Sequence, residues 1–567
     1  MIKHYIQWLK GAQTSVSPFL VGDDDLCIQD NVVTSYKLGA ILKRLGYKQV
    51  GGVLDAKPIT GLHNFRQSKT VQKILATCNN ATDTNLTLQW NDDGTWTDIA
   101  LGGAWDGKED SRVEMEDFIG YCFFVGYDST DKKFLPVGSL TGTTYGFTNT
   151  SGSDAEFTAA ITDIITSAGH GLSDNDIVQF TTTGTLPAGL SLNVSYYIIN
   201  SATNTFKVSL TLGGSAVDIT NTGTGIHTWT QITMPQGKFI KRYRDRLYVA
   251  NLYDGGAISY RVGYSDIPSG TTLGWTAYEA GTGLFNVDYS EPITGLGSNW
   301  DKLFIFTEYS AYKYDQVTLK KAWDVGCIEH RTIKNLGPYM IWANRDGVWQ
   351  GSSGRPMNIA GRILDFVKAS IVLGNSMFAE VIDDEYHLYL GDVTVNGIAY
   401  SNCSVIYNMA TQSWRTAEYH DNFTIFAKYN NSGDDRLYMG ATDGEVMEMT
   451  KYYDRTPVYA DDGNDISAHF ETKQFDFGDP SIEKNIQKII FYADKSVGLN
   501  MKAMIIDKNT RALNKIVDLG TLKGYITEAK FKSIKGNFIK FIGTESGKNP
   551  YFSFFGLTVL LEGNTKL

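Results

Sequence analysis

The sequence predicts an all-β chain: a β-propeller of six or seven blades, a small β-domain inserted into it, and a β-sandwich after it. Three observations lead there. Glycine (57 residues), aromatics (13%) and abundant Thr, Val, Ile and Tyr favour strands and tight turns over helices. Short apolar runs recur about 37 to 56 residues apart, close to the period of blades with four short strands each. One wider gap, of about 125 residues, encloses a stretch of different composition.

The recurring runs are QKILATCN (72–79), GYCFFVGYD (120–128), DRLYVAN (245–251), DKLFIFTEYSAYKYD (301–315), PYMIWANRDGVWQ (338–350), EYHLYLGD (385–392) and DRLYMGATDGEVMEM (435–449). In the last, Asp435-Arg436 ends a turn, Leu437 to Gly440 form a strand, Asp443-Gly444 reverses the chain and Val446 to Met449 form the next strand. The wide gap holds residues 148–230, rich in Thr, Ser, Asn and Gly and poor in Lys and Arg. Removing those residues, about 80, restores a gap of about 45, so the segment is a module inserted into a blade loop. Its runs DIVQF, SYYIIN and TFKVSL, separated by turn formers, make it a small β-sandwich or barrel.

After residue 465 the blade turns stop. HFETKQFDF, QKIIFYA, LNMKAMII, FIKFIG and FSFFGLTVLL form a C-terminal antiparallel sandwich. At the other end, residues 1–58 form an irregular arm. Within it VTSYKLGAILKRLGY has helix-like apolar spacing, limited to a few turns by Gly39 and Gly46. The domain plan is therefore an arm (1–58), a propeller (59–147 and 231–465), an insert (148–230) and a sandwich (466–567).

Composition excludes several function classes. The 567 residues suffice for about three domains. Lys and Arg number 51 against 62 Asp and Glu, a formal charge of −11, which weighs against a free-standing nucleic-acid binder. The same sign suits an acidic lining along which DNA slides. Cys27, Cys78, Cys122, Cys327 and Cys403 are scattered, with no CxxC pair, and are expected as small buried apolar residues in a reducing cytoplasm. The start, MIKHYIQWLKGAQ, lacks the apolar run of a signal peptide, and no apolar segment is long enough to span a membrane, so the chain is expected to be soluble when made.

No stretch carries a recognisable catalytic pattern. The eight histidines form no HxH, HExxH or HxxxH pair, and Cys327 and His330 lack the second half of a zinc site. There is no G-x-S-x-G, no Walker A and no strand–GxGxxG–helix unit. DDD (23–25) and DDGND (461–465) do not follow the EF-hand pattern and are expected in loops and caps. NDDGTWTD (91–98) resembles a single Asp-box of sialidase-type propellers, but it lacks the leading Ser and is not repeated. Asp93-Gly94 is expected as a hairpin turn. No metal, cofactor or enzyme activity is expected. KFIKRYRDR (238–246) is the most basic stretch. Strand alternation would place Lys238, Arg242, Arg244 and Arg246 on one face, with Lys241 and Tyr243 on the other. This is a candidate subunit-contact or DNA-facing strand, whose bland alternative is a charged face paired with an acidic neighbour.

The arm carries a resemblance. SPFLVGDDDLCIQDNVVTSYKLGAILKRLGYKQV, with Ser17-Pro18, an acidic loop, Asn31-Val32 and Leu42-Lys43-Arg44-Leu45-Gly46-Tyr47, leads into ITGLHNF (59–65) and a first blade strand. This order resembles the tail nozzle (tail tube) proteins of short-tailed bacteriophages, which carry a β-propeller in each subunit. ETKQFDFGDPSIEKNIQKIIF is similar to their closing β-domain, and AGHGLSDNDIVQFTTTGTLPAGLSLNVSYYIIN to a β-module that decorates phage structural proteins. The resemblance implies a virion tail protein made in the host cytoplasm and assembled as a six-fold ring under portal and adaptor proteins. It would form a channel for DNA ejection, touch DNA transiently, and dock fibres, spikes or a plug. A receptor- or carbohydrate-binding propeller is the alternative, and a propeller glycoside hydrolase stands third.

Overall fold

The computed structural model describes residues 2–562 except 8–11, 14–19, 35–39, 67, 69–71, 83–85, 93, 100–110, 128–133, 142–146, 149–153, 175, 193, 195, 211–213, 232–234, 254–256, 269–272, 274, 276–277, 279–280, 300, 353, 432, 479, 495–497, 507–512 and 548–551. Strands hold 59% of the chain and helix 4%, so the chain is all-β. It divides into two compact units. A central unit comprises Gly51–His330 and Thr442–Glu445; a terminal unit comprises Met1–Val50, Arg331–Ala441 and Val446–Leu567.

The central unit contains four four-stranded antiparallel sheets, each ordered as in the chain. The first runs from Ile59–Arg66 to Thr95–Ile99, the second from Arg112–Phe118 to Phe147–Thr148, the third from Gln236–Tyr243 to Leu284–Asn286, and the fourth from Ile293–Asn299 to Leu319–Trp323. Alternation within the second strand of each sheet explains how they stack. In Tyr121–Tyr127, Cys122 and Phe124 join Phe65, Leu75 and Leu88 of the first sheet, whereas Phe123 and Val125 join Ile240, Leu247 and Val249 of the third. In Arg246–Tyr253, Tyr248 and Ala250 face the other way and meet Leu296, Leu303 and Ile305 of the fourth. A strand covered on both faces has to be apolar at successive positions, which is why these strands form the unbroken runs of the sequence. Each fully buried aliphatic or aromatic side chain contributes about 1.5–3 kcal/mol.

Between the second and third sheets of this unit lies a closed six-stranded barrel, with strands in the order Asp154–Ala159, Ile165–Thr166, Thr205–Ser209, Tyr196–Ile199, Ile177–Thr182 and His227–Gln231. Phe157, Phe180, Phe206 and Trp229 fill it. The buried Trp229 ring donates from Nε1 to Ser167 Oγ at 2.9 Å, so its polar atom is satisfied.

In the terminal unit a fifth four-stranded sheet runs from Lys334–Leu336 to Met357–Asn358. Two further four-strand groups belong to one nearly closed path of 11 strands. One group is Phe378–Ile382, Glu385–Val395, Ile398–Asn408 and Ser413–Glu418. The other is Phe423–Asn431, Asp434–Ala441, Val446–Met449 and Tyr47–Gln49, its fourth strand coming from near the start of the chain. Leu26–Asp30, Asn464–Thr472 and Ala460–Asp461 link the two groups. A second sheet, containing Lys484–Ala493 and Ser553–Leu561, shares an apolar core with Asn464–Thr472, Asn500–Ile506 and Phe538–Gly547; Phe470, Phe491, Met501, Phe541 and Phe554 lie in it. An α-helix, Leu364–Leu373, ends at Gly374 in the left-handed region (φ 72°).

The N-terminal segment departs from the expected irregular arm with a short helix. Ile2–Ile6 and Ile41–Lys43 pair with Ser553–Leu561, Leu26–Asp30 pairs with Asn464–Thr472, and Tyr47–Gln49 pairs with Val446–Met449. Residues 35–39 of the expected helix lie outside the described residues, but 41–43 and 47–49 are strand. The reason is burial: Ala40 to Tyr47 are all buried, and a helix would turn one side of so short a segment to solvent. Both cations in it are paired instead. Lys43 meets Glu545 at 2.5 Å and Arg44 grips both Asp461 oxygens, at 2.5 and 2.8 Å.

Gly46 and Arg44 each give a stability prediction. A Cβ on Gly46 would lie 1.9 Å from the Ala460 carbonyl oxygen, whereas a Cβ on Gly52 would meet nothing. Gly46→Ala is expected to cost at least ~1–3 kcal/mol in urea denaturation, and Gly52→Ala to leave the midpoint essentially unchanged. Arg44→Met leaves Asp461 buried without its partner and is expected to cost about 3–5 kcal/mol. The double variant Arg44→Met/Asp461→Leu should recover much of that loss in the same measurement.

Candidate functional site

The terminal unit encloses a cavity of about 320 Å³ between the strands that carry Glu385, His387, Asn408 and Arg415 on one side and residues 449–453 on the other. Strand pairing positions the first group: Glu385 lies opposite Asn408, His387 opposite Ile406, and Ile406 opposite Arg415. Glu385 accepts from Arg415 Nη2 at 2.6 Å and from Asn408 Nδ2 at 3.2 Å, so both its oxygens are engaged. On the opposite wall the Lys451 ammonium contacts Asp383 Oδ2 at 2.6 Å and Asp434 Oδ1 at 3.0 Å. Burial opposes the charge on Lys451, and the carboxylates outweigh it, holding its pKa above the ordinary lysine value.

Three buried atoms on this lining have no hydrogen-bond partner among the described residues: His387 Nδ1, Arg415 Nε and the Tyr419 hydroxyl oxygen. Burial lowers the His387 pKa to about 4; nearby Glu385 only partly offsets it and Arg415 reinforces it. The imidazole is therefore neutral at pH 7, and a small polar ligand would find one guanidinium donor, one neutral ring nitrogen and one phenol hydroxyl here. Three unpaired buried polar atoms beside a cavity are a reason to expect a guest or water there.

The predicted site residues lie in the central unit, and they do not form one strand. KFIKRYRDR is a hairpin: Gln236–Tyr243 and Arg246–Tyr253 pair as Tyr243↔Arg246, leaving Arg244-Asp245 as a two-residue turn with Arg244 at φ 53°. Alternation stops at Tyr243, so the proposed single face is broken at Arg244. Each cation instead lies over an aromatic ring: Lys238 over Tyr127 (4.7 Å), Arg242 over Phe118 (5.3 Å), Arg244 over Tyr243 (5.2 Å) and Arg246 over Tyr264 (5.2 Å). On the other face Lys241 pairs with Glu116 at 2.8 Å, the acidic neighbour of the bland alternative. Arg242 and Arg244 are exposed.

The remaining sequence candidates resolve as structure. His330 Nδ1 accepts from the Leu296 N–H at 3.2 Å and Cys327 Sγ lies 3.2 Å from the Glu329 carbonyl, so neither belongs to a zinc pair with the other. Asp25 pairs with Arg362 at 2.6 Å, and Asp461 with Arg44. Gly94 (φ 91°) lies in the turn between Leu86–Asp92 and Thr95–Ile99; Asp93 lies outside the described residues. All five cysteines are free and buried. No described helix is long and apolar enough to cross a membrane. Among the described residues, one grouping brings metal-ligating atoms of three types together: His63, Asp117 and Cys122. Sequence reasoning missed it, and it missed the cavity pair His387 and Arg415, because cross-strand and inter-sheet contacts create both. Compared with known proteins, the chain matches no family model and no curated sequence.

The depressed His387 pKa carries a pH dependence. Its folded pKa, about 4, lies below the ordinary 6.5, so the unfolded chain takes up the proton first as pH falls. Stability from this group is complete above about pH 6.5 and is lost on the way down to about pH 4, by about 3 kcal/mol. Urea midpoints of the wild type should therefore fall more steeply between pH 7 and pH 4 than those of His387→Gln.

Proposed function

We propose that this chain is a structural subunit of a bacteriophage tail, of the nozzle type found in short-tailed phages, whose copies form a ring-shaped channel for DNA ejection and a platform for fibres or spikes. In this reading the five four-stranded sheets and the two four-strand groups are the blades of a propeller. The strand Tyr47–Gln49, which precedes the first sheet in the chain, completes the last four-strand group. The barrel is the decoration on it, and the two C-terminal sheets form the closing sandwich.

The observation that carries this reading is the packing of the segments on which the resemblance rests. Asn31, Lys43, Arg44, Gly46 and Tyr47 of the arm are bound to Ser467, Glu545, Asp461, Val458 and Asp421 of the C-terminal half. An arm so buried is part of a rigid subunit rather than a tether, as a load-carrying ring requires. The formal charge of −11 supports an acidic lumen that does not hold DNA. Portal and adaptor proteins, fibres, spikes or a plug, and further copies of the chain are the partners in this reading. It assigns no enzymatic role and no cofactor.

The cavity beside His387 and Arg415 favours a second reading, a tail protein that binds a receptor or carbohydrate. Symmetry-averaged electron micrographs of particles containing the chain separate the two. Six copies ringed beneath the adaptor, with an acidic central channel, are expected. Copies confined to fibre tips, or a strongly basic channel, would overturn the nozzle reading, and glycan binding lost in Arg415→Met would support the second.

A further inference from the structure

Three chemically different groups meet where the first and second sheets of the central unit pack together. The hairpin Arg112–Phe118/Tyr121–Tyr127 places Asp117 directly opposite Cys122. Across from them runs Ile59–Arg66, which carries His63. Gly61 makes the close approach possible: a Cβ there would lie 2.7 Å from Thr77 Oγ1 and 2.9 Å from the Val113 carbonyl. Two residues on, and on the same face by strand alternation, His63 reaches Asp117, with Nε2 2.8 Å from Oδ1. The other Asp117 oxygen accepts the Arg66 backbone N–H at 2.7 Å, which fixes the carboxylate plane. The ligand atoms of His63, Asp117 and Cys122 lie within 4.8 Å of one another.

The thiol and the imidazole respond differently to this setting. Burial pushes the Cys122 thiol well above its ordinary pKa, and the Asp117 and Glu116 carboxylates push it further, so it is no activated nucleophile. Burial would lower the His63 pKa, but the adjoining Asp117 carboxylate outweighs it and raises it. A Cys–His–Asp catalytic reading therefore fails at the thiol. What remains is three different ligand atoms brought together by sheet packing.

We propose that His63, Asp117 and Cys122 form a binding site for one zinc-class divalent cation, which clips the first sheet to the second. The donor set selects the metal. Sulfur, imidazole nitrogen and carboxylate oxygen together suit borderline-soft Zn²⁺, whereas Ca²⁺ and Mg²⁺ take oxygen ligands. On binding, the thiol proton leaves to solvent and His63 Nε2 gives up the proton it shares with Asp117, the neutral ring keeping one proton on Nδ1, so affinity rises with pH. His63 and Asp117 are partly exposed (side chains 22% and 28%), which leaves the fourth position to water. The Arg66 N–H on the far oxygen of Asp117 is the outer hydrogen bond that orients a ligating carboxylate. The site rests only on the contact between these two sheets, independently of the tail reading.

The test is Co²⁺ titration of the full, chelator-treated chain, followed by its absorption spectrum and by competition with Zn²⁺. The expected result is one Co²⁺ per chain, a thiolate-to-cobalt charge-transfer band with the visible bands of a tetrahedral centre, and loss of both on adding Zn²⁺. Cys122→Ser should abolish the charge-transfer band, and His63→Gln should weaken Co²⁺ binding by at least about tenfold, since a ligand should matter no less than the outer groups whose loss costs that much. Cys78→Ser, an equally buried thiol in the first sheet, should leave the spectrum unchanged. Absence of the band in wild-type protein with native circular dichroism overturns the proposal. So does a band that survives Cys122→Ser.

Discussion

The terminal unit depends on the buried ion pair between Arg44 and Asp461. Arg44 donates two hydrogen bonds to Asp461, one from Nε to Asn31 Oδ1 at 2.6 Å and another to the Glu418 carbonyl, and its guanidinium lies over the Tyr419 ring at 5.0 Å. Asn31, in the left-handed region at φ 53°, also accepts the Glu418 N–H at 2.9 Å and donates to the Ser467 carbonyl at 2.8 Å. Five donors and acceptors of Glu418, Asp461 and Ser467 thus converge on two side chains of the arm. The neighbouring Lys43 pairs with Glu545. In an extended chain successive side chains point to opposite faces, so this one dipeptide clamps the layers on either side of it. Gly46 and Tyr47 continue the pattern: one lets the backbone come within reach of Ala460, and the other hydrogen-bonds Asp421 from a fully buried ring.

Buried ion pairs of this kind add little stability compared with apolar residues of the same volume, because desolvation offsets their attraction. Their effect is on register. Val32–Val33 and Ile41–Lys43 are two- and three-residue strands, too short for an alternating apolar pattern to specify which partner residue they meet. A one-residue slip of Ile41–Lys43 would leave Lys43 and Arg44 facing the wrong layers, with four charged groups buried and unpaired. The short strands are therefore held in place by charge, where longer strands are held by side-chain packing.

That difference also decides what the sequence reveals. All seven apolar runs appear in the structure as the second strands of four-stranded groups, some within one hairpin and some extending into the next strand. Strands such as Tyr121–Tyr127 and Arg246–Tyr253 are covered on both faces, and that condition writes itself locally as consecutive apolar residues. The barrel was legible through its composition and turn residues. The arm was not, since its partners are hundreds of residues away and its incidental 3.6-residue spacing points to a helix. The basic stretch divides at its turn, Arg244-Asp245, which lacks the usual glycine or asparagine; the run DRLYVAN that begins at Asp245 marks the break, and alternation does not carry across it. Neither His387–Arg415 nor His63–Asp117–Cys122 has a motif, because both groupings depend on strand register or sheet packing rather than on spacing along the chain.

The same logic bears on how charge is distributed. Lys238, Arg242, Arg244 and Arg246 lie over aromatic rings, and Lys241 is paired with Glu116. Arg44, Lys43, Arg362, Arg415 and Lys451 are matched to carboxylates in the terminal unit. These ten cations are thus committed to internal partners. Each internal pair removes one acid and one base from the balance, so the excess of acids stays with groups that have no such partner. A surface left acidic in this way repels a polyanion at a range set by the Debye length, about 8 Å at physiological salt. A polyanion closer than that to such a surface is pushed away from it, whereas exposed, unpaired lysines would hold it.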